Sequence, residues 1–416
     1  MENAQSNKIM QINGEESLLK FRENFTLDSN FIHLSLGILN PHSKSLNNEI
    51  NKFRTLLDQN PDLQRRTRNT YTNEVLKSAA KYLGTNKELI AITDSTTMGL
   101  SIIYSGLKLN PADEILTTNC EHYSADKLFA YLSRRSNIVV KKINLYEDPF
   151  FLSEDILVNR ILANVTKNTR VLALTWVNSC FGVKLPLNKI STEIKKINLS
   201  RPEHKKILIC IDGVHGLGIE NFDSIENFGI DFFSAGCHKW LFGPRGTGIL
   251  WGSEKGWESV EPTIPSFEAE AWQDYLSWEP RPSNFIYPKS KMCTPGGFKT
   301  FEYVWALKHA FDQHSSLGKV NVHNKIHELN LLAKNLLIKI PNLKLLTPMD
   351  SNISSGFVSF SIQKPVAELI ETMLEQGVVI SQAPYKTICA RIASGLYNTK
   401  EEVIKACQLI EKIVRE

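Results

Sequence analysis

The sequence of 416 residues lacks any marked excess of one charge, since 48 Lys and Arg face 44 Asp and Glu for a formal net charge of +4. So small and evenly spread a surplus argues against nucleic-acid and membrane-surface partners. No apolar run approaches the ~18 residues of a membrane-spanning helix. The first residues also lack the basic cluster and apolar stretch of a signal peptide. We therefore predict a cytoplasmic protein without nucleic-acid or membrane partners.

Paired cysteines are missing as well. The seven cysteines are scattered and form no Cys-x-x-Cys pair, which favours free thiols in a reducing compartment over disulfides or a structural zinc site. We expect no bound metal. Neither Gly-x-Ser-x-Gly nor a P-loop occurs, which argues against an α/β hydrolase or an NTPase. The glycines from Gly243 to Gly248 lack the Gly-Lys-Ser/Thr ending of a P-loop, so they indicate a tight turn into a strand.

What the sequence does contain is a repeated alternation of short apolar runs and helix-like stretches. Several runs are continuously apolar, as is typical of strands covered on both faces. Strands alternating with helices indicate an α/β domain with a mostly parallel sheet. The seven predicted strands are Leu89 to Thr93, Glu114 to Thr118, Asn137 to Val140, Arg170 to Trp176, Lys206 to Asp212, Ile230 to Ala235 and Thr247 to Trp251.

The pattern changes after about residue 300. The elements predicted there are helices at Phe301 to His314, Val320 to Ile340 and Pro365 to Gln376, and strands at Gly356 to Ile362, Val378 to Ser381 and Ile388 to Ser394. Thr399 and Glu402 have the spacing of a capping box that opens a last helix. We predict a large α/β domain at 71–300 and a smaller α+β domain at 301–416. The segment 1–70 lacks the strand–helix rhythm and is predicted to pack with the small domain.

Ligands of open α/β sheets lie outside the carboxyl ends of the strands, and one dense group of polar residues follows such ends. Asp212 ends an apolar strand, although an acid there could simply cap a helix. Lys239 follows the next strand and a histidine, although most lysines are only solvated. Ser95, Thr96 and Thr97 follow an earlier strand and open a helix, where plain capping is an equally good interpretation.

Together these residues meet the demands of one cofactor. A pyridoxal phosphate enzyme needs a lysine for a Schiff base and an acid that keeps the pyridine nitrogen protonated. It also needs donors for the phosphate, commonly at a helix N-terminus. Lys239, Asp212 and the hydroxyls at Thr96 and Thr97 would supply these groups. The predicted cofactor is therefore pyridoxal 5'-phosphate.

The same motifs resemble those of the class V aminotransferases. The resemblance rests on Asp212-Gly-Val-His215, the 27-residue step to Lys239 and the Gly-Pro-x-Gly-x-Gly that follows, and it extends over most of the chain. It implies the fold type I architecture of pyridoxal phosphate enzymes, with a seven-stranded, mostly parallel sheet and a smaller α+β domain. It also implies a homodimer with the active site at the subunit interface, because Thr294 resembles the residue that reaches the neighbouring subunit's phosphate.

The resemblance also implies roles for individual residues. Lys239, Asp212 and His122 would be catalytic, with His122 stacked on the cofactor ring. Arg391 would hold the substrate carboxylate, and Asn178 would contact the substrate. The residues implied to bind the cofactor are Thr96, Thr97, His122, Ser179, Asp212, His215, His238, Lys239 and Thr294.

Two departures from the family pattern bear on the activity. Desulfurases carry a cysteine on a loop upstream of the carboxylate-binding arginine, and the corresponding loop here, Ser381 to Lys386, has none. Cys389 is closer to Arg391 and lies in a strand-like run, so we interpret it as a buried thiol. Position 236 is glycine where many relatives have a phosphate-binding serine, and Ser234 is a possible substitute.

These observations predict an enzyme that acts at Cα or Cβ of an amino acid, as an isopenicillin N epimerase-like epimerase or a C–S lyase. The resemblance implies that Lys239 passes from a Schiff base with the cofactor to a general base at Cα, and that the resulting carbanion is shared with the cofactor ring. Tyr385 and His215 are possible acids for the proton step that differs between outcomes, although a structural role is the simpler expectation for each. An aminotransferase is an alternative, and a catalytically silent binding or regulatory protein is another.

Overall fold

The computed structural model describes residue 18 and residues 20–276 and 288–416. The other residues of the predicted N-terminal segment, 1–17 and 19, and residues 277–287 of the predicted large domain lie outside the described residues. No helix among those described is long and apolar enough to cross a membrane. The strands are β1 (Ile32–His33), β2 (Ile90–Thr93), β3 (Glu114–Thr118), β4 (Val139–Ile143), β5 (Thr169–Thr175), β6 (Leu208–Asp212), β7 (Phe232–Gly236), β8 (Gly248–Gly252), β9 (Leu343–Leu345), β10 (Val358–Ile362), β11 (Val378–Val379), β12 (Ser381–Gln382) and β13 (Ala390–Ile392).

Helices of four to 21 residues connect these strands. They span Lys44–Gln59, Leu63–Leu83, Thr96–Gly106, Tyr123–Ser136, Glu154–Leu162, Leu187–Leu199, Glu254–Glu258, Ala269–Leu276, Lys289–Met292, Phe301–Leu317, Lys319–Leu337, Val366–Glu375 and Lys400–Arg415. Three short 3₁₀ helices span Lys87–Leu89, Glu203–Lys205 and Ile225–Phe228.

A seven-stranded sheet forms the centre of the molecule, in the order β2-β8-β7-β6-β5-β3-β4. Only β8 runs antiparallel to its neighbours β2 and β7, so the predicted mostly parallel sheet is confirmed. In β6, Ile209 and Ile211 pack into one hydrophobic core, and Leu208 and Cys210 pack into another. Because successive side chains of a strand point to opposite faces, the sheet lies between two apolar layers.

A second sheet, in the order β12-β13-β10-β9, is antiparallel throughout. The helices Lys319–Leu337, Val366–Glu375 and Lys400–Arg415 share one apolar core with it. The predicted capping box is present, because Thr399 accepts from the Glu402 amide while the Glu402 side chain accepts from the Thr399 amide. The parallel pair β1–β11 joins the N-terminal part of the chain to this region. The domain boundaries themselves stay a prediction.

Most predicted strands are shifted by one or two residues at an end, and two differ for a reason visible in the backbone. The strand predicted from Asn137 begins only at Val139, because Asn137 adopts a left-handed conformation with φ 52° and ends the preceding helix. The strand predicted from Val378 to Ser381 is two short strands, since the chain changes partner from β1 to β13 on either side of Ile380. Neither change moves the strand ends that carry the polar residues.

Candidate active site

The carboxyl ends of adjacent parallel strands bring the predicted site residues together. Asp212 is the last residue of β6 and lies opposite Thr175 of β5 and Ser234 of β7. Gly236 ends β7, and His238 and Lys239 follow after Cys237. The groups separated by 27 positions in the sequence therefore meet at one edge of the sheet.

Lys239 is held against a histidine. Its Nζ lies 3.0 Å from His215 Nε2, and the indole N–H of Trp240 donates to His215 Nδ1 over 3.1 Å. Since an indole only donates, Nδ1 accepts, and the proton of a neutral imidazole lies on Nε2 and points at the lysine. Only an uncharged amine has a lone pair to accept that proton. Burial lowers the pKa of Lys239 to about 8, with the Asp212 charge opposing this shift and Arg391 adding to it.

Asp212 is buried close enough to Lys239 to interact with its charge. Burial raises its pKa to about 6, while the hydrogen bond from the Val214 amide and the positive charge of Lys239 oppose that shift. A buried carboxylate is costly unless a cation or donors meet it. The residue is therefore suited to pair with a positively charged group that binds beside it.

A second group of donors surrounds Gly236. Its amide donates to Thr96 Oγ1 over 2.8 Å, and a side chain placed on it would meet His238 Cε1 at 3.0 Å and Nδ1 at 3.1 Å. His238 Nδ1 is buried and has no hydrogen-bond partner in the part of the chain that the structure describes. Thr96 begins the helix Thr96–Gly106, with Thr97 exposed beside it. The Gly236 amide is engaged by Thr96, but the threonine hydroxyls, an unpaired histidine nitrogen and a helix N-terminus converge here, which is the usual chemistry of a phosphate site.

Ser234, the possible substitute for a serine at 236, has its hydroxyl engaged elsewhere. Its Oγ donates to the Thr96 carbonyl over 3.2 Å and packs where Gly99 leaves room. The side chain is fully buried against the helix. Ser234 therefore supports the helix that carries the threonines rather than offering a free donor.

His122 is the N-cap of the helix Tyr123–Ser136, and its Nδ1 lies 2.8 Å from Ser124 Oγ. Burial, with the nearby charges of Lys239 and Arg391, lowers its pKa, which favours the neutral ring. The neighbouring Glu121 is buried and accepts from two threonine hydroxyls, and burial raises its pKa to about 7. The ring of His122 is thereby fixed with one nitrogen tied to the chain.

Arg391, on β13, closes the other side of the site. Its Nη1 donates to the Ser179 carbonyl over 2.6 Å, its Nε donates to Ser381 over 3.1 Å, and its guanidinium lies 4.9 Å from the centre of the Phe357 ring. Ser179 Oγ is 2.8 Å from the hydroxyl of Tyr385, whose pKa burial raises. The loop from Ser381 to Lys386, which has no cysteine, thus brings the protonated phenol of Tyr385 close to Arg391.

Asn178, predicted to contact substrate, has most of its amide engaged by the backbone. Its Nδ2 donates to the Cys120 carbonyl over 2.7 Å, and its Oδ1 accepts from the amides of Cys180 and Phe181. These bonds fix the turn after β5 that carries Ser179. A substrate contact by Asn178 stays a prediction.

Thr294 and Cys389 complete the predicted set. Thr294 Oγ1 donates to the Ser290 carbonyl over 3.0 Å, so within one chain its hydroxyl serves its own segment, and its reach to a partner stays a prediction. Cys389 is fully buried, and its Sγ lies 3.5 Å from the Cys180 carbonyl, which confirms the interpretation as a buried thiol.

Three further residues of the site have roles that depend on contacts between distant parts of the chain. Asn40 binds the carbonyls of His238 and Lys239 with its amide N–H and its side chain, from about 200 positions away. Phe357 packs against both His215 and Arg391. Trp240 follows Lys239 in the sequence, so its position alone could have suggested a role in the site. Its hydrogen bond to His215, however, forms only in the folded chain.

The donor set fits pyridoxal phosphate. His238 Nδ1 is a buried atom without a hydrogen-bond partner in the described parts of the chain, and it lies beside Gly236, at the place where a phosphate is expected. Asp212 is a buried carboxylate with no ion pair to any residue that the structure describes, and Lys239 has the lowered pKa that condensation with an aldehyde requires. These three features are satisfied by the phosphate, the pyridine nitrogen and the aldehyde of one molecule.

Comparison with known proteins agrees with this geometry. A family model described as Aminotransferase class-V matches residues 51–406. Isopenicillin N epimerase of Streptomyces clavuligerus is 24% identical over 410 residues, which cover 95% of this chain and 98% of that protein. A probable cysteine desulfurase of Halalkalibacterium halodurans is 24% identical over 344 residues, which cover 78% and 77%. A solved complex of the cystine C–S lyase C-DES with cysteine persulfide superposes with a TM-score of 0.80 at 18% identity and shares the fold, covering 92% of this chain and 98% of that one.

Proposed function

Because the chain belongs to the class V aminotransferases, a family of pyridoxal-phosphate-dependent enzymes, we propose that it breaks a bond at Cα of an amino acid. The proposed outcome is either epimerisation at Cα or elimination of a Cβ substituent, as in a C–S lyase. The observation that carries this proposal is the buried amine of Lys239, held 3.0 Å from His215 Nε2 and within reach of the Asp212 charge.

The residues proposed to hold the cofactor follow from the donor set. Lys239 would bind its aldehyde, Asp212 its ring nitrogen, and His238 with Thr96 and Thr97 its phosphate. His122 would cover one face of the ring, and Ser179 and His215 would lie at its 3′ oxygen. When bound, pyridoxal phosphate withdraws the electron pair left at Cα when a bond there breaks.

The remaining steps belong to the chain. Arg391 would grip the substrate carboxylate with two parallel N–H groups, and its buried setting makes that pairing strong. Lys239 Nζ, uncharged once released by the substrate amine, would take the proton from Cα. Asp212 would stay ionised beside the positively charged ring nitrogen and so stabilise that positive charge.

The two outcomes differ in one proton step. Epimerisation returns a proton to the other face of Cα, and Tyr385 is the candidate acid because its phenol is buried, protonated and close to Ser179 and His122. Elimination instead needs a proton on the group that leaves Cβ, and the same phenol could donate that proton. The absence of a cysteine from residues 381–386 disfavours sulfur transfer through a persulfide. Transamination is a further alternative, which requires the proton to return to the cofactor.

The first experiment tests the cofactor site. Purified protein should be yellow, and Lys239→Ala should lose the covalent chromophore, whereas Lys339→Ala, which changes an exposed lysine, should keep it. The assay is the absorbance spectrum after gel filtration. A wild-type protein that stays colourless with added pyridoxal phosphate would refute the proposal.

The second experiment separates the reactions. The holoenzyme is incubated with a panel of amino acids in deuterated water. Deuterium at Cα with racemisation supports the epimerase, a 2-oxo acid with ammonia supports the lyase, and the pyridoxamine spectrum supports the aminotransferase. Tyr385→Phe should suppress deuterium return on one face if the phenol is the second acid.

We also propose a homodimer in which Thr294 completes the partner's site. A mixture of Lys239→Ala and Thr294→Ala subunits would then contain one intact site per mixed dimer and regain activity. If mixed dimers are confirmed by mass but regain no activity, the result would argue against a shared site. The scattered free cysteines support a cytoplasmic location, which stays a prediction.

A further inference from the structure

Away from the lysine, three potential metal ligands meet at the junction of a loop and a helix. Glu220 ends the buried segment that follows His215, and its side chain is only 5% exposed. His323 and His327 stand four residues apart on the helix Lys319–Leu337, so both rings lie on the same face. Two histidines at this helical spacing are a recurrent zinc-binding arrangement.

The ligand atoms of these three residues lie about as far apart as the ligands of a tetrahedral ion. Ligand atoms at ~2.0–2.2 Å from a tetrahedral zinc ion are separated from one another by roughly 3.3–3.5 Å. His327 Nε2 lies 2.9 Å from Glu220 Oε1, and His323 Nδ1 lies 3.7 Å from Oε2, so the observed pairs bracket that separation. All three ligand atoms lie within 4.8 Å of one another.

We propose that Glu220, His323 and His327 form a binding site for a zinc-like divalent cation. Two imidazoles and one carboxylate are ligands that Zn²⁺ prefers, and solvent would supply the fourth position. This departs from the absence of metal sites expected from the cysteines, because the ligands here are histidines from a helix and a distant acid.

The surroundings of the site support this proposal. His323 Nδ1 is buried and, among the described residues, has no hydrogen-bond partner, although it faces a carboxylate oxygen. A cation between the two atoms would give His323 Nδ1 a partner. Ser355 Oγ donates to Glu220 Oε1 over 2.5 Å and so orients the carboxylate, as outer-shell donors do around metals.

Lys184 is the competitor for this site. Its Nζ lies 2.8 Å from Glu220 Oε2 and is mostly buried, so it neutralises the carboxylate that the cation would use. A bound cation must displace the ammonium or tolerate its charge, and the affinity is reduced accordingly. Removing the Lys184 charge should therefore strengthen binding, whereas a purely ion-paired cluster would only lose stability.

The site would act on the structure rather than on the chemistry. It would link the segment after His215 to the helix Lys319–Leu337 and to Ser355, which precedes the Phe357 that packs on Arg391. Because a cation that binds only the folded state stabilises it by mass action, melting temperature should rise with cation concentration.

The test uses the holoenzyme, dialysed free of excess cofactor and metal, and Zn²⁺ or Co²⁺ alone as the probe. Titration calorimetry gives affinity and stoichiometry, and the visible d–d bands of Co²⁺ report tetrahedral nitrogen and oxygen ligands rather than thiolates. We expect one ion per chain and a melting temperature that rises with Zn²⁺. His323→Gln and His327→Gln should each weaken binding at least ~10-fold, since each removes one of three ligands.

Two further variants make the result decisive. Lys184→Met should tighten binding of the ion, so this variant tests the site through a gain of affinity rather than a loss. His309→Gln, which changes a half-buried histidine of the neighbouring helix bonded to Ser45, is the matched control and should leave binding unchanged. The proposal is overturned if the wild type binds no ion, or if binding is insensitive to His323→Gln and His327→Gln, which would leave only an ion-pair cluster.

Discussion

Replacing Trp240 by phenylalanine should raise the pKa of Lys239. In the wild type the indole N–H occupies His215 Nδ1, which keeps the histidine proton on Nε2 and directs it at the lysine. Phenylalanine cannot donate, so the histidine is free to move its proton to Nδ1. Nε2 then offers a lone pair, which can accept from a charged ammonium and stabilise it.

The expected size follows from one hydrogen bond. A bond to a charged group contributes ~1.5 kcal/mol, which corresponds to about one pKa unit. Starting from the wild-type pKa of about 8, the variant should titrate near 9. At pH 7 the uncharged fraction of the lysine would fall from roughly one in ten to roughly one in a hundred.

The assay is the rate at which cofactor-free protein captures pyridoxal phosphate, followed by absorbance between pH 6 and 10. Only the uncharged amine reacts, so the rate at each pH follows the ionisation of Lys239. Trp251→Phe is the control, since Trp251 is an equally buried tryptophan whose N–H donates instead to Thr85. A Trp240→Phe midpoint equal to or below that of the wild type, with Trp251→Phe unchanged, would refute the tautomer argument.

Three further predictions concern other residues. Asp212→Asn should lower kcat on the order of 10²-fold, measured with saturating cofactor, because an amide cannot stabilise the cationic ring nitrogen. Glu121→Gln should be more stable than the wild type above pH 7 by about 2–3 kcal/mol and equally stable near pH 4.5, in urea unfolding at both pH values. The reason is that the pKa of Glu121 is about 7 in the folded state and 4.5 in the unfolded state. The wild-type protein therefore loses stability as the pH rises from the unfolded to the folded value. Thr399→Ala should cost about 1 kcal/mol in the same assay, through loss of its cap bond to Glu402, and an unchanged midpoint would contradict this.

The predictable part of the fold is the part with local periodicity. Several strands of the central sheet are continuous apolar runs, and β3 has its predicted bounds. The capping box at Thr399 was also visible, because its two residues lie three positions apart. The short strands β11 and β12 were not separable, since which partner a strand pairs with depends on distant chain segments.

The candidate site divides in the same way. Asp212, His238 and Lys239 could be named because each lies at or just after the carboxyl end of a strand, and these ends face the same edge of the sheet. The engaged hydroxyl of Ser234, the phenol of Tyr385 beside Ser179 and the histidine pair beside Glu220 could not be, because each contact joins residues far apart in the chain.

The sequence by itself determined the sheet, the family and the order of the reactive groups, because apolar periodicity and motif spacing are local properties of the chain. Only the tertiary structure decided the state of those groups. Burial lowers the pKa of Lys239 and raises that of Asp212, and the Trp240 indole selects one tautomer of His215. Desolvation and hydrogen-bond direction depend on the whole surroundings of a side chain, and those surroundings exist only in the folded chain.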